Sequence, residues 1–415
     1  MNGLSWPTEG YTRIPYRLYV DPDQYALEQE RIFKGPIWHY LCLEVEVPNK
    51  GDFFTSQIGE TPILITRDET GALNAMVNRC AHRGALLCMD RHGNAKSKIL
   101  TCVYHNWSYD LRGNLRTVAF KGGVKGRGGM SENFKMEEHG LRRLRIAQFS
   151  GLVFGTFSDD TPPIEDFLGP LICARIKRVL DRPLKVLGRH TQMLHSNWKI
   201  YMENIKDSYH ASILHLFFTT FRINRLNTKG EILLDDTGQH HVSYSMMDLA
   251  VDNTDYGSQK LRADRSDLTL LDPAVTEWTD EFGDGITLQI LSVFPTFVVQ
   301  QHLNSIAVRH LRPSGLETCE VAWTYLGFEG DDAAMATLRL KQGNLVGPAG
   351  YISLEDGAVT GFVQRASKGV AEDSGVIMMG GEGVESQPFR ATETAVRGFW
   401  KRYRELMEGA GASQA

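Results

Sequence analysis

The amino-acid sequence predicts an α+β protein in which a small, mostly β domain precedes a larger domain that mixes helices with an antiparallel sheet. Three observations lead to this prediction. A chain of 415 residues is long enough for two domains with separate cores. Short strand-like runs separated by turn signals fill the region 38–156, and helical patterns mixed with a β-rich stretch follow the proline-containing linker 159–163. We therefore predict an N-terminal arm with one helix at 1–37, a β domain at 38–158 and an α+β domain at 159–415.

Local patterns predict the individual elements. Asp21-Pro22-Asp23 supplies a capping acid and an early proline, so a helix of about 14 residues should begin there. Apolar runs predict strands at His39–Val45, Pro62–Arg67, Leu73–Asn78 and Gly151–Thr156, and through the region 285–327. Helical spacing predicts helices at Ile164–Leu180, with a break at Pro170, at Trp198–Phe218 and at Ala391–Glu408.

Composition excludes several classes of protein. The chain has 45 basic and 50 acidic residues, a net charge of −5, which argues against a nucleic-acid-binding protein. No apolar run approaches the ~18 residues needed to cross a bilayer, so no membrane association is expected. The N-terminus lacks the basic and apolar segments of a secretory signal, which predicts a cytoplasmic location. In that reducing compartment the six cysteines are more often buried, catalytic or metal-binding than paired in disulfides.

Two cysteine–histidine pairs form the first candidate metal site. Cys80 and His82 have the spacing C-x-H, and Cys102 and His105 have the spacing C-x-x-H, with 19 residues between the pairs. Two thiolates on one iron and two imidazoles on the other are typical of a Rieske [2Fe–2S] centre. A Cys2His2 zinc site is the main alternative, although zinc fingers usually pair like with like. The remaining cysteines have no suitably spaced partner and are interpreted as packing residues, namely Cys42, Cys88, Cys173 and Cys319.

A second candidate site includes Asp207, His210 and His215. The two histidines are five residues apart and face about 140° away from each other on an ideal helix, so one ion can bind both only where the helix loosens or breaks. Asp356, which follows another acid in Glu355-Asp356, is the best candidate for a third ligand. Two imidazoles and one carboxylate form the facial triad of non-haem Fe(II) oxygenases. The alternative for Asp356 is an ordinary turn-capping residue.

With these motifs in place, the whole chain resembles the α subunits of Rieske non-haem iron aromatic-ring-hydroxylating dioxygenases. The family pattern E-N-x-x-D-x-x-H-x4-H matches Glu203, Asn204, Asp207, His210 and His215, and a G-P-A-G…D element makes Asp356 rather than Glu355 the third ligand. The loop 90–98 is about two residues longer than in most relatives, which should not move a cluster ligand.

The resemblance implies a helix-grip (TBP-like) catalytic domain, a Rieske [2Fe–2S] cluster and a mononuclear Fe(II). It also implies a small β subunit in an α3β3 assembly and a separate NADH-dependent reductase that supplies electrons. Asp207 and Asn204 would act in catalysis. In this interpretation Asp207 joins His210 to His105 of a neighbouring subunit and carries the electron path between them. The alternative for Asp207 is a solvated helix acid.

Within the family, the chain is most similar to oxygenases of aromatic carboxylates, in particular those of the terephthalate type. Arg309 lies in an apolar strand and Arg390 precedes the last helix, and two such residues suit a para-dicarboxylate because each can form a bidentate pair. The alternatives are an internal salt bridge for Arg309 and a solvated helix start for Arg390. Ile205 and Ile352 are expected to line the apolar part of the pocket, with core packing as the alternative.

The expected activity is therefore the cis-dihydroxylation of terephthalate with O2. Salicylate hydroxylation and anthranilate- or benzoate-type dioxygenation are the alternatives within the family. A Rieske electron carrier without oxygenase activity is the alternative from another class.

Overall fold

The computed structural model describes residues 6–221, 223–246, 254–265 and 267–408. The first residues of the predicted arm and the last residues of the predicted C-terminal domain therefore lie outside the described residues. The strands are β1 Arg13–Pro15, β2 His39–Leu43, β3 Asp52–Ile58, β4 Thr61–Arg67, β5 Leu73–Val77, β6 His92–Asn94, β7 Ile99–Thr101, β8 Ser108–Asp110, β9 Leu115–Thr117, β10 Arg145–Phe149, β11 Leu152–Thr156, β12 Leu184–Leu194, β13 Gly230–Leu234, β14 His241–Met246, β15 Ile286–Val293, β16 Phe297–His302, β17 Ser305–Gly315, β18 Thr318–Phe328 and β19 Ser374–Val376.

The α-helices are α1 Pro22–Arg31, α2 Ile164–Leu180, α3 Trp198–Lys206, α4 Ala211–Leu214, α5 Leu216–Phe221, α6 Thr254–Gln259, α7 Ala333–Val346, α8 Tyr351–Ser367 and α9 Thr394–Glu408. Short 3-10 turns cover Gly10–Thr12, Tyr16–Tyr19, Glu44–Glu46, Met136–His139 and Pro273–Thr276. None of the helices among these residues has the length and apolar character that crossing a bilayer requires.

The chain divides into two compact units. One is Phe33–Phe167, and the other combines the residues up to Ile32 with those from Leu168 onward. The predicted domain bounds, 38 and 158, lie a few residues inside the first unit. The second boundary falls within α2 beside Gly169, whose φ of 72° interrupts the helix. The predicted break at Pro170 is thus confirmed, because the residue before a proline is disfavoured in the helical region.

The unit Phe33–Phe167 consists mainly of small antiparallel sheets. In its described residues the strand orders are β10-β11-β2, β5-β4-β3-β6 and β7-β8-β9. The main core cluster contains Trp107 and Tyr109 together with the cysteines at 80, 88 and 102. Three of the six cysteines therefore pack close together in the core of this unit, which places the Cys80 and Cys102 thiols away from bulk water.

The second unit is built around an antiparallel sheet with the order β12-β18-β17-β16-β15-β14-β13 in the part of the chain that the structure describes. Helices α3, α7, α8 and α9 pack against it or against one another. The α+β class, with an all-β domain before a catalytic-type domain of antiparallel sheet and helices, is confirmed.

The N-terminal arm and α1 belong to this second unit. Asp21 caps α1, as predicted, by accepting hydrogen bonds from the backbone N–H groups of Asp23 and Gln24, although the helix has 10 residues rather than about 14. Glu28 is fully buried and accepts hydrogen bonds from Lys199 Nζ at 2.7 Å and Tyr403 Oη at 2.5 Å. Removing one partner of such a buried pair costs about 3–5 kcal/mol, so α1 is firmly attached to α3 and α9.

The predicted single helix Trp198–Phe218 is wrong, because it is divided into α3, α4 and α5. Asp207, the residue after α3, has extended backbone angles (φ −89°, ψ 101°), and His215 between α4 and α5 does as well. The amide of Asp207 still bonds to the carbonyls of Glu203 and Asn204, which closes α3 at this point.

The sequence also failed to indicate β12, β13 and β14. These strands alternate polar with apolar residues only partly, and several buried positions are polar, among them His241, Ser243 and Ser245. A strand whose buried positions are polar lacks the apolar run by which buried strands are recognised.

Candidate metal centres and substrate pocket

Two similar loops hold the predicted cluster ligands. In the first loop the Cys80 N–H donates to the Ala85 carbonyl and the Gly84 N–H donates to the Cys80 carbonyl. The second loop repeats this pattern, with Cys102 bonded to Trp107 and Asn106 bonded back to Cys102. Gly84 and Asn106 both have positive φ, at 74° and 53°, which allows each loop to turn tightly. Each loop thus presents one cysteine and one histidine from the same backbone shape.

The two histidines of these loops lie together. The rings of His82 and His105 are 4.5 Å apart, and His82 stacks on Trp107 at 4.8 Å with an interplanar angle of 5°. Desolvation, the His105 imidazole and the Arg83 guanidinium lower the pKa of His82. A neutral imidazole is the form that binds a metal. Cys80 also lies 3.3 Å from Tyr109 Oη, so a thiolate there has a hydrogen-bond donor.

The break after α3 brings His210, His215 and Asp356 together. One ligand atom from each of the three lies within 4.8 Å of the other two. Asp356 Oδ1 is 3.3 Å from His210 Nε2 and 3.4 Å from His215 Nε2. The five-residue spacing that an intact helix could not have accommodated is bridged by the short helix α4, in which Ser212 has non-helical angles, and by the extended backbone of His215.

The outer nitrogens of both imidazoles are occupied by carboxylates. His210 Nδ1 donates to Asp207 Oδ2 at 3.2 Å, and His215 Nδ1 donates to Glu355 Oε2 at 2.8 Å. With both Nδ1 atoms engaged, both Nε2 atoms are directed at Asp356, which is the orientation that a shared cation requires. The contact between Glu355 and His215 could not be predicted from the motif, which indicates only that Asp356 and not Glu355 is the ligand.

Electrostatics favour a cation at this position. Burial works against protonation of His210, yet the carboxylates of Asp207 and Asp356 raise its pKa to about 10. The two histidines and Arg309 lower the pKa of Asp356 to about 2, although burial opposes this. Asn204 Nδ2 donates to Asp356 Oδ1 at 3.2 Å and lies 3.4 Å from His210 Nε2. The carboxylates of Asp207 and Asp356 thus favour a positive charge at this position.

A pocket with about 620 Å³ of space not filled by atoms opens beside these three residues. One wall is a face of the large sheet. The lining includes Ile205 and Ile352, as expected, and further residues, namely Ser243, Leu288, Ile290, Gln300, His302, Trp323, Phe218 and Asn224.

Arg309 projects into the pocket from β17. Its Cζ lies 4.3 Å above the ring of Trp323, and Nη1 donates to Tyr201 Oη at 3.4 Å. The buried Nε atom has no hydrogen-bond partner, and no carboxylate among the described residues lies within salt-bridge distance of the guanidinium. The alternative of an internal salt bridge is therefore wrong.

Arg390 lines the same pocket and is only 1% exposed, so the alternative of a solvated helix start is wrong. Nη1 donates to the Arg225 carbonyl at 2.9 Å, while Nε has no partner among the described residues. Burial lowers the pKa of Arg390 to about 10. Its Cδ lies 2.9 Å from where a Cβ of Gly230 would be, so the side chain requires a glycine in β13.

Comparisons with known proteins agree with this geometry. Residues 37–126 match the Rieske [2Fe-2S] domain, and residues 180–409 match the ring hydroxylating alpha subunit (catalytic domain). The chain is 54% identical over 97% of its length to terephthalate 1,2-dioxygenase, terminal oxygenase component subunit alpha 2, of Comamonas sp, and covers 97% of that protein. It is 42% identical to the anthranilate 1,2-dioxygenase large subunit of Burkholderia cepacia, covering 97% of this chain and 95% of that one.

Among solved structures, the fold is similar to that of naphthalene 1,2-dioxygenase from Rhodococcus sp. bound to indole. The TM-score is 0.79 at 22% identity, over 96% of this chain and 95% of that chain. This similarity shows the fold alone. The Rieske match over residues 37–126 also decides between the two metal sites considered for the cysteine–histidine loops, in favour of [2Fe–2S] over zinc.

Proposed function

Because the chain belongs to the α subunits of Rieske-type ring-hydroxylating dioxygenases, we propose that it dihydroxylates an aromatic dicarboxylate, and that this substrate is terephthalate. The main observation in favour of this substrate is the pair of buried arginines, Arg309 and Arg390, which lack an anionic partner within the described residues. The product would be a cis-dihydrodiol that carries both atoms of O2.

The residues present fit the two metal groups of the family. His210, His215 and Asp356 would hold the mononuclear Fe(II), since their ligand atoms already converge and both outer nitrogens are occupied. Cys80, His82, Cys102 and His105 would hold the Rieske cluster on their two matching loops. When bound, these groups supply O2 activation at the mononuclear site and single electrons from the cluster.

The protein would contribute position and charge. A carboxylate of the substrate would form a bidentate pair with Arg309, and the second carboxylate would pair with Arg390. Arg309 lies in β17, whereas Arg390 precedes α9 and places its side chain against Gly230 of β13, and both line the same pocket. Their side chains point inward, so a ring with para substituents would lie between them, against Ile205 and Ile352 and beside the metal ligands. Such positioning fixes which ring carbons face the oxygen.

Binding two carboxylates would also offset the unfavourable burial of two unpaired guanidinium groups in the free protein. A buried guanidinium without an ionic partner is unfavourable, as the depressed pKa of Arg390 indicates. The free energy released when each charge is paired is available for substrate binding. This supports a dianionic substrate over the monocarboxylates salicylate and anthranilate. An electron carrier without oxygenase activity is not supported, since the family matched over 180–409 is a catalytic domain.

The proposal includes partners. Members of the family are terminal components that receive electrons, and we propose an NADH-dependent reductase as the donor and a small β subunit in an α3β3 assembly. We also propose a cytoplasmic location for the chain, which fits a reductase that uses NADH. Asp207, bonded to His210 on one side, would accept a hydrogen bond from His105 of a neighbouring subunit on the other.

Turnover with a panel of benzoates tests the substrate. The reconstituted oxygenase should convert terephthalate in the presence of 18O2 to a diol with two labelled oxygens, and should prefer it to benzoate, salicylate and anthranilate. Arg390→Met should abolish this preference by lowering kcat/KM for terephthalate about 100-fold while sparing benzoate. Equal losses on both substrates would contradict the two-anchor proposal, and incorporation of one labelled oxygen would contradict dihydroxylation.

A further inference from the structure

Asn224 lines the pocket at the end where Arg390 enters, and its amide is unusual. The side chain is 2% exposed, yet neither Oδ1 nor Nδ2 has a hydrogen-bond partner in the described part of the chain. A buried amide without partners costs about 1–3 kcal/mol in mutational data. A residue with only a structural role would use these atoms within the protein.

The backbone around Asn224 is held on both sides. The Ile223 N–H donates to the Phe218 carbonyl at 3.2 Å, and the Leu226 N–H donates to Tyr256 Oη at 2.6 Å. Thr228 N–H donates to the Arg225 carbonyl at 3.1 Å, which closes a turn directly after Asn224. The unpartnered amide is therefore presented by a fixed segment rather than by a mobile loop.

The same turn holds Arg390. The Arg225 carbonyl, one residue beyond Asn224, accepts the hydrogen bond from Arg390 Nη1, and Ser208 Oγ donates to the Arg390 carbonyl at 2.6 Å. One guanidinium nitrogen is thus used to set the side-chain direction, while Nε remains without a partner. The orphaned amide and the orphaned guanidinium nitrogen belong to one small part of the pocket.

We infer that Asn224 is a specificity-determining residue for the carboxylate that Arg390 receives, with Asn224 Nδ2 donating a hydrogen bond to that carboxylate. This inference rests on the proposed function. A carboxylate offers about four acceptor positions, so a bidentate guanidinium pair leaves room for the amide. The neutral amide discriminates between substrates, because a monocarboxylate bound at Arg309 leaves it unpaired.

The test measures dissociation constants of terephthalate and benzoate by anaerobic calorimetry with the iron-loaded oxygenase. Asn224→Ala should weaken terephthalate binding about 10- to 100-fold and leave benzoate binding within about 2-fold. Arg390→Met is the matched comparison. The double variant should lose less than the sum of the two single losses, because both residues bind one carboxylate.

Asn224→Asp provides a second variant whose effects separate binding from folding. Its carboxylate would pair with Arg390, so the protein should unfold at a higher temperature while terephthalate binding falls further than in Asn224→Ala. Unchanged terephthalate binding in both variants, or equal losses on both ligands, would overturn the inference. If the wild type itself bound benzoate and not terephthalate, the proposed function would fail as well, which distinguishes the two failures.

Discussion

Glu355 and Asp356 are neighbours in the sequence but serve opposite sides of one candidate metal site. Successive residues of α8 are rotated by about 100°, so Asp356 faces the two Nε2 atoms while Glu355 reaches the Nδ1 atom of His215. Glu355 Oε1 also lies 3.4 Å from the Leu216 N–H. Glu355 therefore fixes the ring of His215 from outside the ligand set.

Removing this contact should weaken iron binding. We expect Glu355→Ala to lower the affinity for Fe(II) about 10- to 100-fold, and Glu355→Gln to lower it less, because the amide oxygen can still accept from Nδ1. Competition with a chromogenic chelator measures this. Tyr351→Phe, on the same helix and 62% exposed, is the control. Iron binding equal to wild type in both Glu355 variants would show that the ring is held by packing alone.

Glu203 should make the free energy of unfolding depend on pH. Burial raises its pKa to about 7, although hydrogen bonds from Tyr19 Oη and Trp400 Nε1 oppose this. The folded protein then holds a proton that the unfolded chain releases above its ordinary pKa of 4.5, so stability falls as pH rises from 4.5 to 7 and is level above.

Glu203→Gln removes this proton while keeping an acceptor for both donors. Relative to wild type, the variant should therefore gain about 3 kcal/mol in the free energy of unfolding between pH 4.5 and pH 8. Denaturant titrations across this range measure the gain, with the exposed Glu69→Gln as control. A difference between variant and wild type that does not change with pH would contradict the prediction.

At the scale of elements, the interruption between α3 and α5 matters most for the site. The spacing of His210 and His215 indicated that an intact helix could not direct both at one ion, so a break or bulge was the physical requirement for a shared site. Helix α3 ends at Lys206, and the chain departs from helical geometry again at Ser212 and His215. These positions could not be predicted, because Asp, Ser and His disfavour a helix by less than about 1 kcal/mol each and do not end one by themselves. Asp207, His210 and the two acids of α8 are brought together by tertiary contacts, and a single sequence does not contain these contacts.

Strands were predictable where their buried residues are apolar and not where buried polar residues interrupt the pattern. The region 285–327 was recognised as β-rich, whereas β14 was missed because buried Ser243 and His241 interrupt its apolar pattern. The residues that shape the substrate pocket are thus among those that conceal their strand. Arg309 could still be found, since a guanidinium in an apolar strand conflicts with burial unless it has a specific partner.

Replacing each of two helix glycines with alanine should change the free energy of unfolding in opposite directions. Gly169 has a φ of 72° with nothing near its would-be Cβ, so Gly169→Ala should cost about 1–2 kcal/mol through backbone strain alone. Gly361 in α8 has helical geometry, and its would-be Cβ meets only the His195 carbonyl at 3.9 Å, so Gly361→Ala should stabilise by up to about 1 kcal/mol. Denaturant unfolding of both variants measures the two changes in the free energy of unfolding. Equal signs would contradict this assignment of the helix break.

At the scale of the whole molecule, the two candidate metal sites belong to different compact units. Motif spacing was enough to predict the Rieske loops, since all four residues lie within two short segments. The triad needed Asp356, which is 141 residues beyond His215, and only the fold brings it close. The proposed role of Asp207 in electron transfer depends on assembly, because its proposed second partner is in another copy of the chain.

Replacing Asp207 should therefore separate metal content from electron flow. We expect Asp207→Asn to keep both metal centres but to slow reoxidation of the reduced cluster by O2 and substrate about 100-fold, because the hydrogen-bonded link through His210 is weakened. Single-turnover spectroscopy of the cluster measures this rate, with the exposed Asp236→Asn as control. A normal reoxidation rate in Asp207→Asn would remove Asp207 from the electron path.

Iron analysis of the purified α subunit tests the central claim most directly, that one chain carries a Rieske cluster and a separate mononuclear iron. The wild type should contain about three iron atoms per chain, and His210→Ala should contain about two, with the visible spectrum of the cluster unchanged. A wild-type content of two, or a His210→Ala variant that keeps three or loses the cluster spectrum, would contradict the account.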